Sequence, residues 1–209
     1  MLPEKTIERL SQYRRLLLAN KQKGKENIFS HEIAVQLHLT SVQVRRDIML
    51  IGYSGTQRKG YNIDLLIEKI SSILDDEKGL NSIIIGMGNL GKAISTYFYG
   101  KRNKIDIVAA FDIDIKKTGR LISGVWCYHT SDLETIIKEK QISLAILALA
   151  PEAAQDITDR IIFAGVKGIL NFTSVPLNVL PNVYLENYDM VTSIEKVAYF
   201  VKENHLQNR

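Results

Sequence analysis

The residues best placed to do chemistry form the run Gly86-Met87-Gly88-Asn89-Leu90-Gly91, which closes an apolar stretch at 82–86 and is followed by Asp112. In a GxGxxG turn the first glycine permits a tight bend, the second lets the backbone approach a pyrophosphate, and the third allows a helix to pack closely on a strand. The helix read at 92–99 would offer its unpaired N–H groups to the same anion. A carboxylate ending the next strand can accept hydrogen bonds from the adenine-side ribose and repel a 2′-phosphate, so Asp112 points to NAD(H) over NADP(H). Alone, Asp112 reads as a loop carboxylate in a charged segment; its position relative to the glycines makes the difference.

A second set stands near the N-terminus. Ser41, Gln43, Arg45 and Arg46 fall on one short helix, and Arg58 and Lys59 sit in the glycine-rich segment 52–61. Arg and Gln match the major-groove edges of guanine and adenine, and a basic hairpin tip can follow the adjacent minor groove. No comparable set supports catalysis. Of the four histidines, His31 and His38 belong to this basic region, His129 starts a helix and His205 lies near the C-terminus. No HExxH, GxSxG, GxxxxGK[ST] or paired-carboxylate pattern occurs, and too few residues remain for a substrate domain. No catalytic or metal-binding residue is assigned, and a small NAD-dependent oxidoreductase with a helical appendage is the weaker alternative.

The elements that position these residues have two grammars. Before residue 75, apolar positions recur at helical spacing: Ile7, Leu10, Tyr13 and Leu17 on a first helix ended by Gly24, then Ile33, Ala34 and Leu37 on a helix capped by Ser30. A turn at His38-Leu39 leads to a helix from 42 to about 51, capped by Thr40-Ser41. Its buried face carries Val44, Ile48 and Ile51, Arg46 and Val42 point away, and Gln43, Arg45 and Asp47 lie on the flanks. Helix, turn, helix and a β-hairpin over 52–61 make a winged helix-turn-helix, and a further helix covers 64–74. After the polar break 75–79, strands at 82–86, 105–111, 125–128, 144–149 and 168–172 alternate with helices, the grammar of a Rossmann-like, doubly wound parallel sheet. Ser131 and Glu134 fit a capping box, and Pro151 and Gly165 bracket a later helix. The domains are therefore read as 1–78 and 79–190, with a C-terminal helix in 191–209. There Ile194, Val197, Ala198 and Val201 share a face that either folds onto its own sheet or reaches a partner subunit.

Charge agrees with this division. Residues 1–61 hold 11 Lys and Arg against 5 Asp and Glu, and residues 62–209 hold 16 against 18. The 209-residue chain has a single cysteine, Cys127, which excludes an internal disulfide framework and favours a reducing compartment. The longest apolar run, 144–150, is too short to span a bilayer, so a cytoplasmic protein without a membrane partner is expected.

In this order the motifs resemble the Rex family of redox-sensing transcriptional repressors over essentially the whole chain. The resemblance is carried by the helix at 3–18, Gln43-Val-Arg-Arg-Asp47, the wing at 55–61, the glycine run, Phe111-Asp-Ile-Asp114, Pro151-Glu-Ala-Ala-Gln155 and Ala164-Gly-Val-Lys-Gly-Ile-Leu-Asn-Phe172. It implies a homodimer with exchanged C-terminal helices, NADH or NAD⁺ in each Rossmann domain with Ala150 and Pro151 beside it, and release from palindromic operator DNA when NADH accumulates. It also implies that Arg15, Tyr97 and Asp189 act as a switch between ligand states. The chain departs from the family pattern at Arg58, where glycine is usual, at Ala150 for valine, at Thr173-Ser174 for Ala-Pro, and at Ile51 for an aromatic. A regulator with a weakened or lost NADH response is the alternative these changes raise.

Overall fold

The computed structural model describes residues 2–56, 58–98 and 104–207, and the chain divides into two compact units, Met1–Glu77 and Lys78–Arg209. Parts of three expectations fall outside the described residues: position 57 of the hairpin over 52–61, the end of a helix at Tyr99, and positions 208–209 of the C-terminal segment.

In the first unit, α1 (Glu4–Gln22) buries Thr6, Leu10, Tyr13 and Leu17 at three- and four-residue spacing, and Gly24 leaves the helix at φ +77°. Next come α2 (Ser30–Leu37) and α3 (Ser41–Leu50), joined through His38 in the left-handed region at φ 54°. The Thr40 hydroxyl accepts the Gln43 N–H at 3.1 Å and caps α3 as expected. Ser30 does not cap α2. It is the first helical residue, and the end is satisfied from within when the Glu32 carboxylate accepts the Phe29 N–H at 2.8 Å. β1 (Asn27–Ile28) pairs antiparallel with β2 (Tyr61–Asn62), and α4 (Ile63–Leu74) follows, capped by the Asn62 side chain on Leu65 N–H. Among the described residues of the wing, Thr56 and Gly60 form a bridge, exchanging backbone hydrogen bonds of 2.9 and 2.8 Å, with Arg58 and Lys59 in its tip. All four helices close on one core that includes Leu10, Ile33, Val44, Ile48, Ile51, Leu66 and Ile70. The winged helix-turn-helix read from the sequence is present.

Asp47 corrects that reading. Expected on the flank of the exposed basic face, it is wholly buried. Arg9 donates to it from Nε at 2.6 Å and Nη2 at 2.8 Å, the Tyr13 hydroxyl at 2.7 Å and Gln43 Nε2 at 2.9 Å. Burial alone would push the carboxyl up, but the bonds from Arg9, Tyr13 and Gln43 outweigh it and hold Asp47 below the usual carboxylate range. The same burial, aided by Asp47, pushes the Tyr13 phenol up.

In the second unit, β3 (Leu80–Ile85), β4 (Ile105–Asp112), β5 (Arg120–Ile122), β6 (Val125–His129), β7 (Ile142–Leu147), β8 (Gly168–Asn171) and β9 (Tyr184–Asn187) form one sheet in the order β5-β6-β4-β3-β7-β8-β9. Every neighbouring pair is parallel except β5–β6. Without β5 this is the doubly wound order third-second-first-fourth-fifth-sixth. α5 (Asn89–Phe98) lies after β3, α6 (Leu133–Glu139) before β7 and α7 (Ala154–Ala164) after it. Because the central strands are covered on both faces they read as unbroken apolar runs. Ile83, Ile85 and Phe111 join the core that includes α6 and α7, while Ile84, Ala110 and Cys127 join Ile94 of α5.

The short strands β5 and β9 were not expected, since neither has an apolar run of its own. Ser131 does not form the expected capping box either. His129 Nδ1 accepts the Ser131 N–H at 3.2 Å at the start of a 3-10 turn, and Glu134 instead pairs with Arg160 at 2.6 Å. The last element, α8 (Met190–Gln207), leaves Ile194, Val197, Tyr199, Phe200 and Val201 exposed, so it is not folded onto its own sheet. Among the described residues no helix is long and apolar enough to cross a membrane.

Removing one partner from a buried ion pair leaves the other uncompensated. Arg9→Met is therefore expected to destabilise the first unit by about 3 kcal/mol in urea denaturation followed by circular dichroism. Because the folded carboxyl is held low, the contribution of Asp47 is present above about pH 4 and lost as pH falls below it. Asp47→Asn should flatten that acid limb.

Candidate functional site

The glycine run sits where the sheet order reverses, with β4 and β7 on either side of β3. Gly86 N–H donates to Phe111 O and Ala148 N–H to Ile85 O, both at 2.8 Å, so the strand ends stay tied as the chain turns. Gly86 adopts φ +96°, and a Cβ there would lie 2.3 Å from Ala148 O. A Cβ on Gly91 would lie 1.9 Å from Gly86 O, which only a bare Cα allows as α5 crosses the strand end. Around Gly88 a Cβ would meet nothing within 4 Å. The helix start at 89 therefore faces open space with the free N–H groups of a first turn.

Asp112 closes the floor of this loop. Its Oδ2 accepts the Met87 N–H at 2.8 Å and Lys117 Nζ at 2.9 Å, and Oδ1 accepts the Asp114 N–H at 2.9 Å. Burial would raise this carboxyl, and these three donors, Lys117 foremost, bring it below its usual range. Hydrogen bonding to Asp112 raises Lys117 in turn. Gly86, Gly88, Asp112, Ile113, Lys117 and Ala150 line a cleft of about 370 Å³, at whose wall Arg160 pairs with Glu134 and donates to Thr130 O at 2.8 Å. The arrangement can hold an anion at the helix start and a hydroxyl near the carboxylate.

On the first unit, Ser41 opens α3, and Arg45 and Arg46 project from it beside exposed Val42, Met49 and Leu50. Arg45 Nη1 reaches Ser30 Oγ at 3.2 Å. Gln43 is only half-exposed, because its amide is tied to Asp47. Arg58 and Lys59 are exposed in the wing tip.

Two family models match, one described as the putative DNA-binding protein N-terminus over residues 1–48 and one as the CoA binding domain over residues 77–175. A curated protein of Lactobacillus acidophilus named redox-sensing transcriptional repressor Rex is 38% identical over 97% of this chain and 98% of its own. The chain belongs to the Rex family. The Bacillus subtilis Rex repressor is 37% identical over 96% of this chain and 93% of its own. Among solved structures, the Rex-family repressor RSP in complex with NAD⁺ and operator DNA matches with a TM-score of 0.91, 32% identity, 100% coverage of this chain and 96% of its own. RSP with NADH matches at 0.86 and 31% identity, covering 100% and 98%.

The residues expected at the nucleotide site divide into groups. Gly86, Gly88, Asp112 and Ala150 line the cleft; Met87 and Gly91 are buried beneath it; Asn89 and Leu90 begin α5; and Pro151 is exposed in the 3-10 turn after β7. Of the departures from the Rex pattern, Ile51 fills the core and Thr173 is buried, its hydroxyl donating to Asn171 Oδ1 at 2.6 Å. Arg15 is exposed on α1 with a 3.4 Å contact to Ser11, Tyr97 is exposed on α5, and Asp189 accepts the Thr192 N–H at 3.0 Å and its hydroxyl at 2.6 Å ahead of α8. Sequence reasoning missed Lys117 and Arg160. Lys117 follows Asp112 within the same charged segment and carried a usable signal; Arg160 joins the cleft only through folding.

The two inner glycines separate packing from access. Gly91→Ala is expected to lower stability by about 3 kcal/mol by overpacking against backbone, whereas Gly88→Ala should stay within about 0.5 kcal/mol. Thermal unfolding of the two variants checks both.

Proposed function

We propose that this Rex-family chain is a redox-sensing transcriptional repressor that grips double-stranded operator DNA with its first unit and releases it on binding NADH in the second. The observation that carries the reading is the open cleft at Gly88, floored by Asp112, in a chain whose first unit presents Arg45, Arg46, Arg58 and Lys59 on a helix and a wing. The match to RSP in complex with NAD⁺ and operator DNA over the full chain supports it.

Residues 1–78 serve as the DNA-binding domain, 79–190 as the NAD(H)-binding domain, and 191–209 as a helix exchanged in a homodimer. Ser41, Gln43, Arg45 and Arg46 enter the major groove, while Arg58 and Lys59 follow the backbone or minor groove beside it. In the cleft, the N–H groups at 88–91 receive a pyrophosphate, and Ala150 and Pro151 border the dinucleotide. A carboxylate offers about four acceptor sites. Asp112 already fills three with protein donors, which leaves one for a ribose hydroxyl. The exposed α8 supplies the apolar surface a second copy would cover. Arg15, Tyr97 and Asp189 act as the switch, exchanging partners between the two ligand states. Binding without turnover and a cytoplasmic location complete the reading, supported by relatives named as transcriptional repressors.

The test is a fluorescence-anisotropy titration on a duplex that the protein selects from a randomised library. Saturating NADH is expected to weaken DNA binding roughly 5- to 150-fold, the range of ordinary allosteric coupling. Unchanged affinity while calorimetry shows the cleft filled would assign a regulator that has lost its redox response. Asp189→Ala is expected to keep NADH affinity within about twofold while reducing that coupling severalfold. An undiminished NADH effect would remove Asp189 from the switch.

A further inference from the structure

A ribose carries two neighbouring hydroxyls, and Asp112 is equipped to receive only one of them. An ionised carboxylate accepts at about four sites, two on each oxygen. Both sites of Oδ2 are filled, by the Met87 N–H at 2.8 Å and Lys117 Nζ at 2.9 Å, and one site of Oδ1 is filled by the Asp114 N–H at 2.9 Å. The protein's own donors therefore prevent Asp112 from taking the diol with both oxygens. Lys117, by contrast, has capacity to spare. Its ammonium carries three hydrogens, and the bond to Asp112 uses one. Lys117 lines the same cleft, and its side chain is 30% exposed against 7% for Asp112, so the lysine is the more open half of the pair. Anchored on Oδ2, its Nζ stands beside whatever binds Oδ1. The other cation of the cleft, Arg160, is turned by Nε and Nη2 to Glu134 and Thr130 O rather than to Asp112.

From this we propose that Lys117 is a cofactor-binding residue, holding one hydroxyl of the adenosine ribose while Asp112 holds the other. The diol is then read in two senses. One hydroxyl gives its hydrogen to Asp112 Oδ1, and the oxygen of its neighbour accepts a hydrogen from Lys117 Nζ. The lysine does this without releasing Asp112, because its remaining hydrogens point away from the bond it already makes. A hydrogen bond given by an ammonium is stronger than one given by a neutral group, so the donor half of the pair carries as much of the binding as the acceptor half. The ion pair works as a unit: Asp112 fixes where the ammonium stands, and the ammonium supplies the donor that a carboxylate cannot be.

This inference rests on the reading of the cleft as an NAD(H) site. Calorimetry on the full-length protein compares NADH with two analogues whose adenosine lacks either the 2′- or the 3′-hydroxyl. Both analogues are expected to bind the wild type about five- to tenfold more weakly, since each loses one hydrogen bond to a charged group. Lys117→Met should weaken NADH about tenfold. In that variant one analogue should bind within about twofold of NADH, because its missing hydroxyl no longer has a partner to lose, while the other keeps its penalty. A lysine that only shapes the loop would weaken NADH and leave both penalties in place, which would overturn the assignment. So would a wild type indifferent to one of the analogues, or a Lys117→Met variant that binds NADH as tightly as the wild type or more tightly, the mark of a lysine that merely fills Asp112. Failure of the wild type to bind NADH at all would instead refute the reading of the cleft beneath it.

Discussion

A carboxylate taken out of water has to be met by hydrogen-bond donors, and in both units of this chain some of those donors come from the segment proposed to face a ligand. Asp47 draws on Arg9 and Tyr13 of α1 and on Gln43 of its own helix, so α3 is held against α1 by the same bonds that neutralise the buried charge. Asp112 draws on the Met87 N–H, and thereby ties the end of β4 to the glycine loop after β3. In each case the cost of burying one negative group is offset by hydrogen bonds whose donors also order the proposed recognition segment. The shape of that segment then becomes a consequence of core electrostatics.

Much of this architecture is legible in the sequence because it rests on local rules. Period-3.6 apolar positions give α1 and α4, Thr40 fixes the start of α3, and the glycine run after an apolar strand marks the turn at β3. What escapes lies where tertiary pairing decides. Asp47 looks like a flank residue when α3 is drawn alone; only the approach of Arg9 and Tyr13 from α1 makes its burial affordable. β5 and β9 pair at sheet edges without apolar runs to announce them. The Ser131–Glu134 pattern satisfies the spacing of a capping box, yet Glu134 finds a stronger partner in Arg160, 26 residues away in sequence.

The candidate site shows the same division. Gly86, Gly88 and Asp112 are readable because their spacing states the geometry they serve, while Ala150 is reached through the family resemblance. Arg160 is not, since a cation on a helix has no spacing signature until the cleft forms around it, whereas Lys117 is marked only by its place after Asp112 in the same charged segment. The changes at Ile51 and Thr173 are absorbed by burial and by the hydrogen bond to Asn171, so a departure from a family pattern does not by itself report on function.

The outer surface of α8 carries a further consequence. A helix that keeps Ile194, Val197, Phe200 and Val201 in water makes the free energy of the folded chain depend on the amount of whatever covers them. With a second copy in that role, mass action enters, and the occupied fraction of any DNA site rises more steeply than the first power of protein concentration. Small changes in how many copies a cell holds would then set the level at which repression begins, independently of the dinucleotide.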